Sequence, residues 1–226
     1  MLLFAKWRGE QIWTLATIIS CLGILLSSVI YFTGSLPGVP GNETPRFLLE
    51  KGAWAQQSWW LSTFYFHVVG ASICLVVGIP LMFPAWTARH PRWHRWLGYT
   101  YVNAVLWMAA PSGLVLALTA KGGLLGALGF GLAGLLWWYT TWSGYRAIRR
   151  GDLNTHIRAM IRSYSLALSA PAFRIIQIAL FLGGLSDDVN YVVSLWSSIA
   201  VSACLAESCL AGQVWNAPYL SKGALS

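Results

Sequence analysis

Three ionisable side chains, His67, Arg174 and Glu207, stand inside long apolar runs of the sequence, with Asn103 and Gln177 as weaker polar companions. A charge at the centre of a bilayer costs at least about 2.5–3.5 kcal/mol on insertion scales, so such residues need a partner, water or a task. At a helical rise of about 1.5 Å per residue, His67 is roughly 24 Å from Phe83, Arg174 roughly 17 Å from Ser163 and Glu207 roughly 11 Å from Val214, each measured to one end of its run. Steps of roughly 6–7 Å are within reach of an arginine side chain or one bridging water. A very short link joins the last two runs, which makes their helices antiparallel neighbours. An Arg174–Glu207 pair is therefore expected, either as a structural salt bridge or as a site that holds a ligand carboxylate or relays protons. His67 heads a stripe of small residues, Gly70, Ala71, Cys74 and Gly78. That stripe should turn the imidazole into the bundle, as a satisfied hydrogen-bonding group or as a ligand.

A second polar group gathers at the edges of the runs. His90, Arg92, His94 and Arg95 precede one apolar stretch, and His156, Arg158 and Arg162 precede another. Basic residues here supply positive-inside charge and contact lipid headgroups without any further task. They also allow chemistry. His94 and His156 lie near the ends of two runs at similar depth, so their imidazoles could ligate a haem iron axially or join a metal site. Either could titrate and hand protons to a cavity. Arg95, Arg158 and Arg162 could hold a phosphate or carboxylate headgroup. No nucleophile–base motif, metalloprotease helix or carboxylate pair occurs, and the glycine-rich run after Gly122 lacks the Lys-Ser/Thr ending of a phosphate loop.

The elements that must position these residues are apolar helices. Of 226 residues, 57% are hydrophobic and 10% charged, against about 25% charged in an ordinary soluble domain. A bilayer-spanning helix needs about 20 apolar residues. The sequence predicts six: Ile12–Phe32, Trp59–Phe83, Trp96–Ala120, Gly122–Tyr145, Ser163–Leu185 and Val189–Val214. The first follows Lys6 and Arg8 and reads as a retained signal-anchor. Eleven Lys and Arg residues fall on one side of this arrangement and three on the other, which puts both termini in the cytoplasm. The net charge of +8 sits in short loops, so it does not indicate a nucleic-acid partner. The external loop, Thr33–Ser58, opens with Pro37, Pro40 and Pro45 among glycines. Its later part, Arg46 to Trp60, predicts an amphipathic helix on the outer surface. Pro111-Ser112-Gly113 predicts a kink in the third span. The glycines of the fourth span predict close helix packing. Cys21, Cys74, Cys204 and Cys209 read as small packing residues.

The run His94-Arg95-Trp96-Leu97-Gly98-Tyr99-Thr100-Tyr101 resembles a family of bacterial membrane proteins, domain of unknown function 2306. So do Pro111-Ser112-Gly113, Gly122-Gly123 and His156-Ile157-Arg158-Ala159-Met160-Ile161-Arg162-Ser163-Tyr164, with Arg174 twelve residues after Arg162 and Glu207 in the last span. The resemblance covers roughly Tyr65 to Glu207. It implies a multi-helix integral membrane protein and no particular activity. A looser likeness joins His67 and the His94-Arg95-x-Leu97-Gly98 run to transmembrane b-type cytochromes. With His67 the one histidine toward the outer face, that likeness implies at most one haem, on His94 and His156.

The expected fold is thus all-α: an integral membrane bundle of six transmembrane helices, a single domain over residues 1–226, in the bacterial inner membrane. The expected function is an intramembrane polar site of His67, Asn103, Arg174, Gln177 and Glu207 that handles a small ligand or protons. His94, Arg95, His156, Arg158 and Arg162 form its cytoplasmic entrance. Two alternatives stand beside it: a haem b or quinone-linked redox protein, with His94 and His156 on the metal, and an accessory subunit whose partner is another membrane protein.

Overall fold

The computed structural model describes residues 22–23 and 46–211. Residues 22–23 are helical; the rest of the Ile12–Phe32 span, most of the Thr33–Ser58 loop, Cys21 and the end of the last span lie outside the described residues. Within them the regular elements are helices. They are α1 (Arg46–Lys51), a 3-10 turn (Gly52–Trp54), α2 (Ser58–Leu81), α3 (Pro84–Arg89), α4 (Pro91–Asn103), a π-helical stretch (Ala104–Ala109), α5 (Ala110–Ala117), α6 (Gly123–Arg149), α7 (Leu153–Ala167), α8 (Ser169–Leu182) and α9 (Asp187–Ala211).

Five rods among the described residues are long and apolar enough to cross a bilayer: α2, Pro91–Ala117, α6, Leu153–Leu182 and α9. Their ends follow local chemistry. Proline opens α3 and α4, where a missing N–H costs nothing. The Asp152 side chain caps α7 by accepting from the Thr155 amide at 2.9 Å. Hydrogen bonds from Thr155 hold that carboxyl below its usual range. Gly122, at φ 86°, makes the left-handed turn between α5 and α6.

Two helix starts correct the expected boundaries. The Pro91–Ala117 rod begins at Pro91 and the Leu153–Leu182 rod at Leu153. His94, Arg95, His156, Arg158 and Arg162 are therefore helical residues and not loop residues. The Arg46–Trp60 segment is also not one helix: α1 and the 3-10 turn come first, and α2 starts at Ser58.

α2 packs along α4, the π stretch and α5; α5 packs on α6; α6 packs on α7; α7 touches α2 and closes a four-rod ring. α9 lies against α8, α7 and α6. Lipid tails are as apolar as leucine, so burial of apolar area alone cannot choose this arrangement; close packing and internal hydrogen bonds must. A Cβ on Gly144 would sit 2.7 Å from Met160 Sδ, and one on Gly129 would sit 2.7 Å from Leu195 Cδ2. These glycines are where α6 admits α7 and α9.

Polar clasps complete the specification. Trp137 Nε1 donates to Tyr101 Oη at 3.2 Å, Tyr101 Oη lies 2.9 Å from Ser163 Oγ, Ser163 Oγ lies 2.6 Å from Thr141 Oγ1, and Thr141 Oγ1 donates to the Trp137 carbonyl at 2.7 Å. The indole can only donate and the carbonyl can only accept, so the middle hydrogens have one consistent direction, Tyr101 to Ser163 to Thr141. This closed ring binds α4, α6 and α7 where Tyr101, Ser163 and Thr141 are buried. Asn190 does the same for the next pair of helices: its Nδ2 donates to the Gln177 carbonyl at 3.0 Å while Oδ1 accepts from Ser194 at 2.9 Å.

Candidate functional site

The larger cavity, about 730 Å³, opens toward the arginine-rich end of the bundle. α4 brings His94 and Arg95 to its wall, α6 brings Arg149, and α7 brings His156. The rest of the wall is mainly apolar and aromatic, with Tyr99, Tyr101, Tyr145 and Tyr164 the main aromatics. His94 falls in the first turn of α4 because Pro91 sets the helix start. His156 falls in the first turn of α7 because Asp152 caps it. His156 Nδ1 donates to the Gly144 carbonyl at 2.9 Å, and in the neutral ring this leaves Nε2 as the acceptor. An Nδ1–carbonyl bond of this kind is how proteins orient a ligating imidazole. His94 Nδ1 is buried and, among the described residues, has no hydrogen-bond partner. A buried polar atom of that kind is costly unless something fills the position. Both imidazoles line this one cavity.

A smaller cavity, about 300 Å³, lies in the opposite half. His67 and Arg174 share its wall with Lys51. His67 Nδ1 donates to the Ala109 carbonyl at 2.8 Å and lies 3.3 Å from Ser112 Oγ; Ser112 itself donates to the Met108 carbonyl. The carbonyl bond fixes the hydrogen on Nδ1 and leaves Nε2 uncommitted. The His67 ring rests on Gly113, where a Cβ would meet its Cε1 at 2.9 Å. Arg174 Nη1 donates to Gln177 Oε1 at 3.2 Å, and its guanidinium lies 5.3 Å from the Phe173 ring centre. Lys51 Nζ donates to the Thr119 carbonyl at 2.5 Å. Burial lowers the Lys51 ammonium from the ordinary lysine value, Glu50 opposing and Lys121 reinforcing that shift.

The five residues expected to form one intramembrane site separate. His67 and Arg174 share a cavity, and Gln177 orients Arg174. Asn103 is exposed and donates to the Tyr99 carbonyl at 2.9 Å. Glu207 does not pair with Arg174; it pairs with Arg162, Nε to Oε1 at 2.7 Å and Nη2 to Oε2 at 3.2 Å. The reason is the earlier start of α7. Arg162 is mid-helix and level with Glu207, whereas Arg174 is twelve residues further on, roughly 18 Å away along the axis. Arg158 is exposed, within electrostatic range of Glu207. The rim residues that do converge are His94, Arg95 and His156.

Sequence reasoning missed Lys51, Arg149 and the Trp137–Tyr101–Ser163–Thr141 ring. Ser163 and Thr141 inside apolar runs were the available signal, since a hydroxyl at that depth needs a partner. Among the described residues no three His, Cys, Asp or Glu side chains converge. Two imidazoles alone do not complete the four-ligand shell of a bare zinc-type ion, but they suit a metal whose macrocycle brings its own equatorial donors.

A family model described as a predicted membrane protein (DUF2306) matches residues 64–210. No curated protein and no solved structure matches the chain.

Proposed function

The chain belongs to the DUF2306 family of predicted membrane proteins, and from that footing we propose that it is a bacterial inner-membrane protein that holds haem b between His94 and His156 on the cytoplasmic side. One observation carries the reading: two imidazoles from different helices line a single cavity of about 730 Å³, one oriented by the Gly144 carbonyl and the other with a buried, unpartnered nitrogen. The rest of the wall suits the same ligand. Tyrosines and aliphatic side chains accept a flat apolar ring, and Arg95 and Arg149 offer guanidinium partners to its anionic arms. A bound haem would supply one-electron transfer. The chain's own part is to fix the imidazoles, exclude water with the aromatic wall and neutralise the carboxylates. The orientation is supported by the eleven-to-three division of basic residues.

Protein purified from cells supplied with haem precursor should show a Soret band. His94→Ala and His156→Ala should each lose it, while Asn103→Ala should keep it. A colourless preparation, or a band that survives the His94/His156 double change, overturns the proposal and leaves the accessory-subunit reading.

A further inference from the structure

We infer that the smaller cavity is a second, separate site, built for a compact aromatic carboxylate. Its volume, about 300 Å³, is about twice the roughly 150 Å³ cavity that accepts benzene in a soluble protein. That is room for one ring and an acid group. Trp60, Phe130, Trp137 and Phe173 contribute flat aromatic surface to the wall, suited to stacked or edge-on contact with a ring. The polar side of the wall is cationic. Lys51 and Arg174 belong to it, His67 adds an uncommitted Nε2, and among the described residues the wall holds no Asp or Glu. Glu50, next to Lys51 in the chain, is not part of it. Lys51 is half-buried and Arg174 exposed, and on the wall itself neither meets a carboxylate; an incoming carboxylate would give both a charge-assisted hydrogen-bond partner.

The backbone gives an independent reason. Two rods lose regular α geometry at this cavity. The π stretch ends at Ala109 and meets α5 at Ala110, and both line the wall. Across from it the Leu153–Leu182 rod breaks at Leu168, with Ala167, Ser169 and Ala170 on the wall. Each irregularity has a proline beside it, Pro111 and Pro171, which removes a backbone donor. Irregular backbone at membrane depth is tolerated where it is buried in protein or lines a cavity, and π segments concentrate at functional sites. Packing alone gives no reason for the irregular stretches of two separate rods to border one chamber.

The test is calorimetric titration of benzoate, and of benzyl alcohol as its uncharged counterpart, into the full chain in nanodiscs. Benzoate should bind saturably at one site and benzyl alcohol should not saturate. Arg174→Gln should weaken benzoate at least tenfold, and Ala133→Leu, which fills the chamber without touching a charge, should abolish it. Ala133→Leu also decides the matter if Arg174→Gln does not fold. The His94→Ala/His156→Ala variant should bind benzoate as the parent does, which separates this site from the haem reading. No saturable benzoate binding, equal binding of both probes, or full affinity in Ala133→Leu would overturn the inference.

Discussion

Tyr101 carries more of this structure than its single hydroxyl suggests. The phenol is 1% exposed, accepts from Trp137 and donates to Ser163, so Tyr101→Phe leaves the indole N–H without its acceptor and Ser163 Oγ without its donor. An unsatisfied buried group costs about 1–3 kcal/mol, and the variant should lower thermal stability in detergent by that order, measured against the parent. Ser163→Ala combined with Thr141→Val should cost less than the two single changes added together, because each single change breaks the same ring. Burial also explains why a neighbouring residue tolerates no enlargement: a Cβ on Gly78 would lie 2.0 Å from Cε2 of Tyr164, whose hydroxyl donates to the Leu75 carbonyl.

At the scale of elements, the Arg162–Glu207 pair links α7 to α9 across side chains that are 39% and 59% exposed. An exposed pair in water would contribute little, but a lone charge beside hydrocarbon is costly. Glu207→Leu alone should therefore destabilise more than Arg162→Met with Glu207→Leu, by the melting temperature in nanodiscs. The same pair shows what the sequence could and could not reveal. Apolar run length located the five rods, because hydrocarbon thickness sets a minimum helix length. His94 and His156 could be matched because each begins a helix at the same level. Arg174 and Glu207 were mismatched because depth was counted from Ser163, and the amphipathic first turns of α7, rich in Arg and His, read as loop when viewed as hydropathy. Pro111 announced a disturbance in the Pro91–Ala117 rod; that a π stretch would absorb it depends on the contact with α2, which no local pattern records.

For the whole molecule, the proposed orientation puts the arginine-rich end in the cytoplasm and the Lys121–Asp187 end outside. Single cysteines at Gly151 and Gly184, in a background without other accessible thiols, should report this in intact cells. A membrane-impermeant maleimide should label position 184 and leave position 151 unlabelled until the membrane is opened; the reverse pattern would invert every assignment of side. The two cavities meet this polarity differently, one toward each face, and the Trp137–Tyr101–Ser163–Thr141 ring stands between them, Tyr101 on one wall and Trp137 on the other. Because the ring begins and ends on the same residue, every hydroxyl hydrogen in it is spent on another member. Hopping conduction of H⁺ needs an open chain with a donor at one end and an acceptor at the other, and this loop has neither. The closed loop thus supplies no through-going wire of hydroxyls for H⁺ from one chamber to the other.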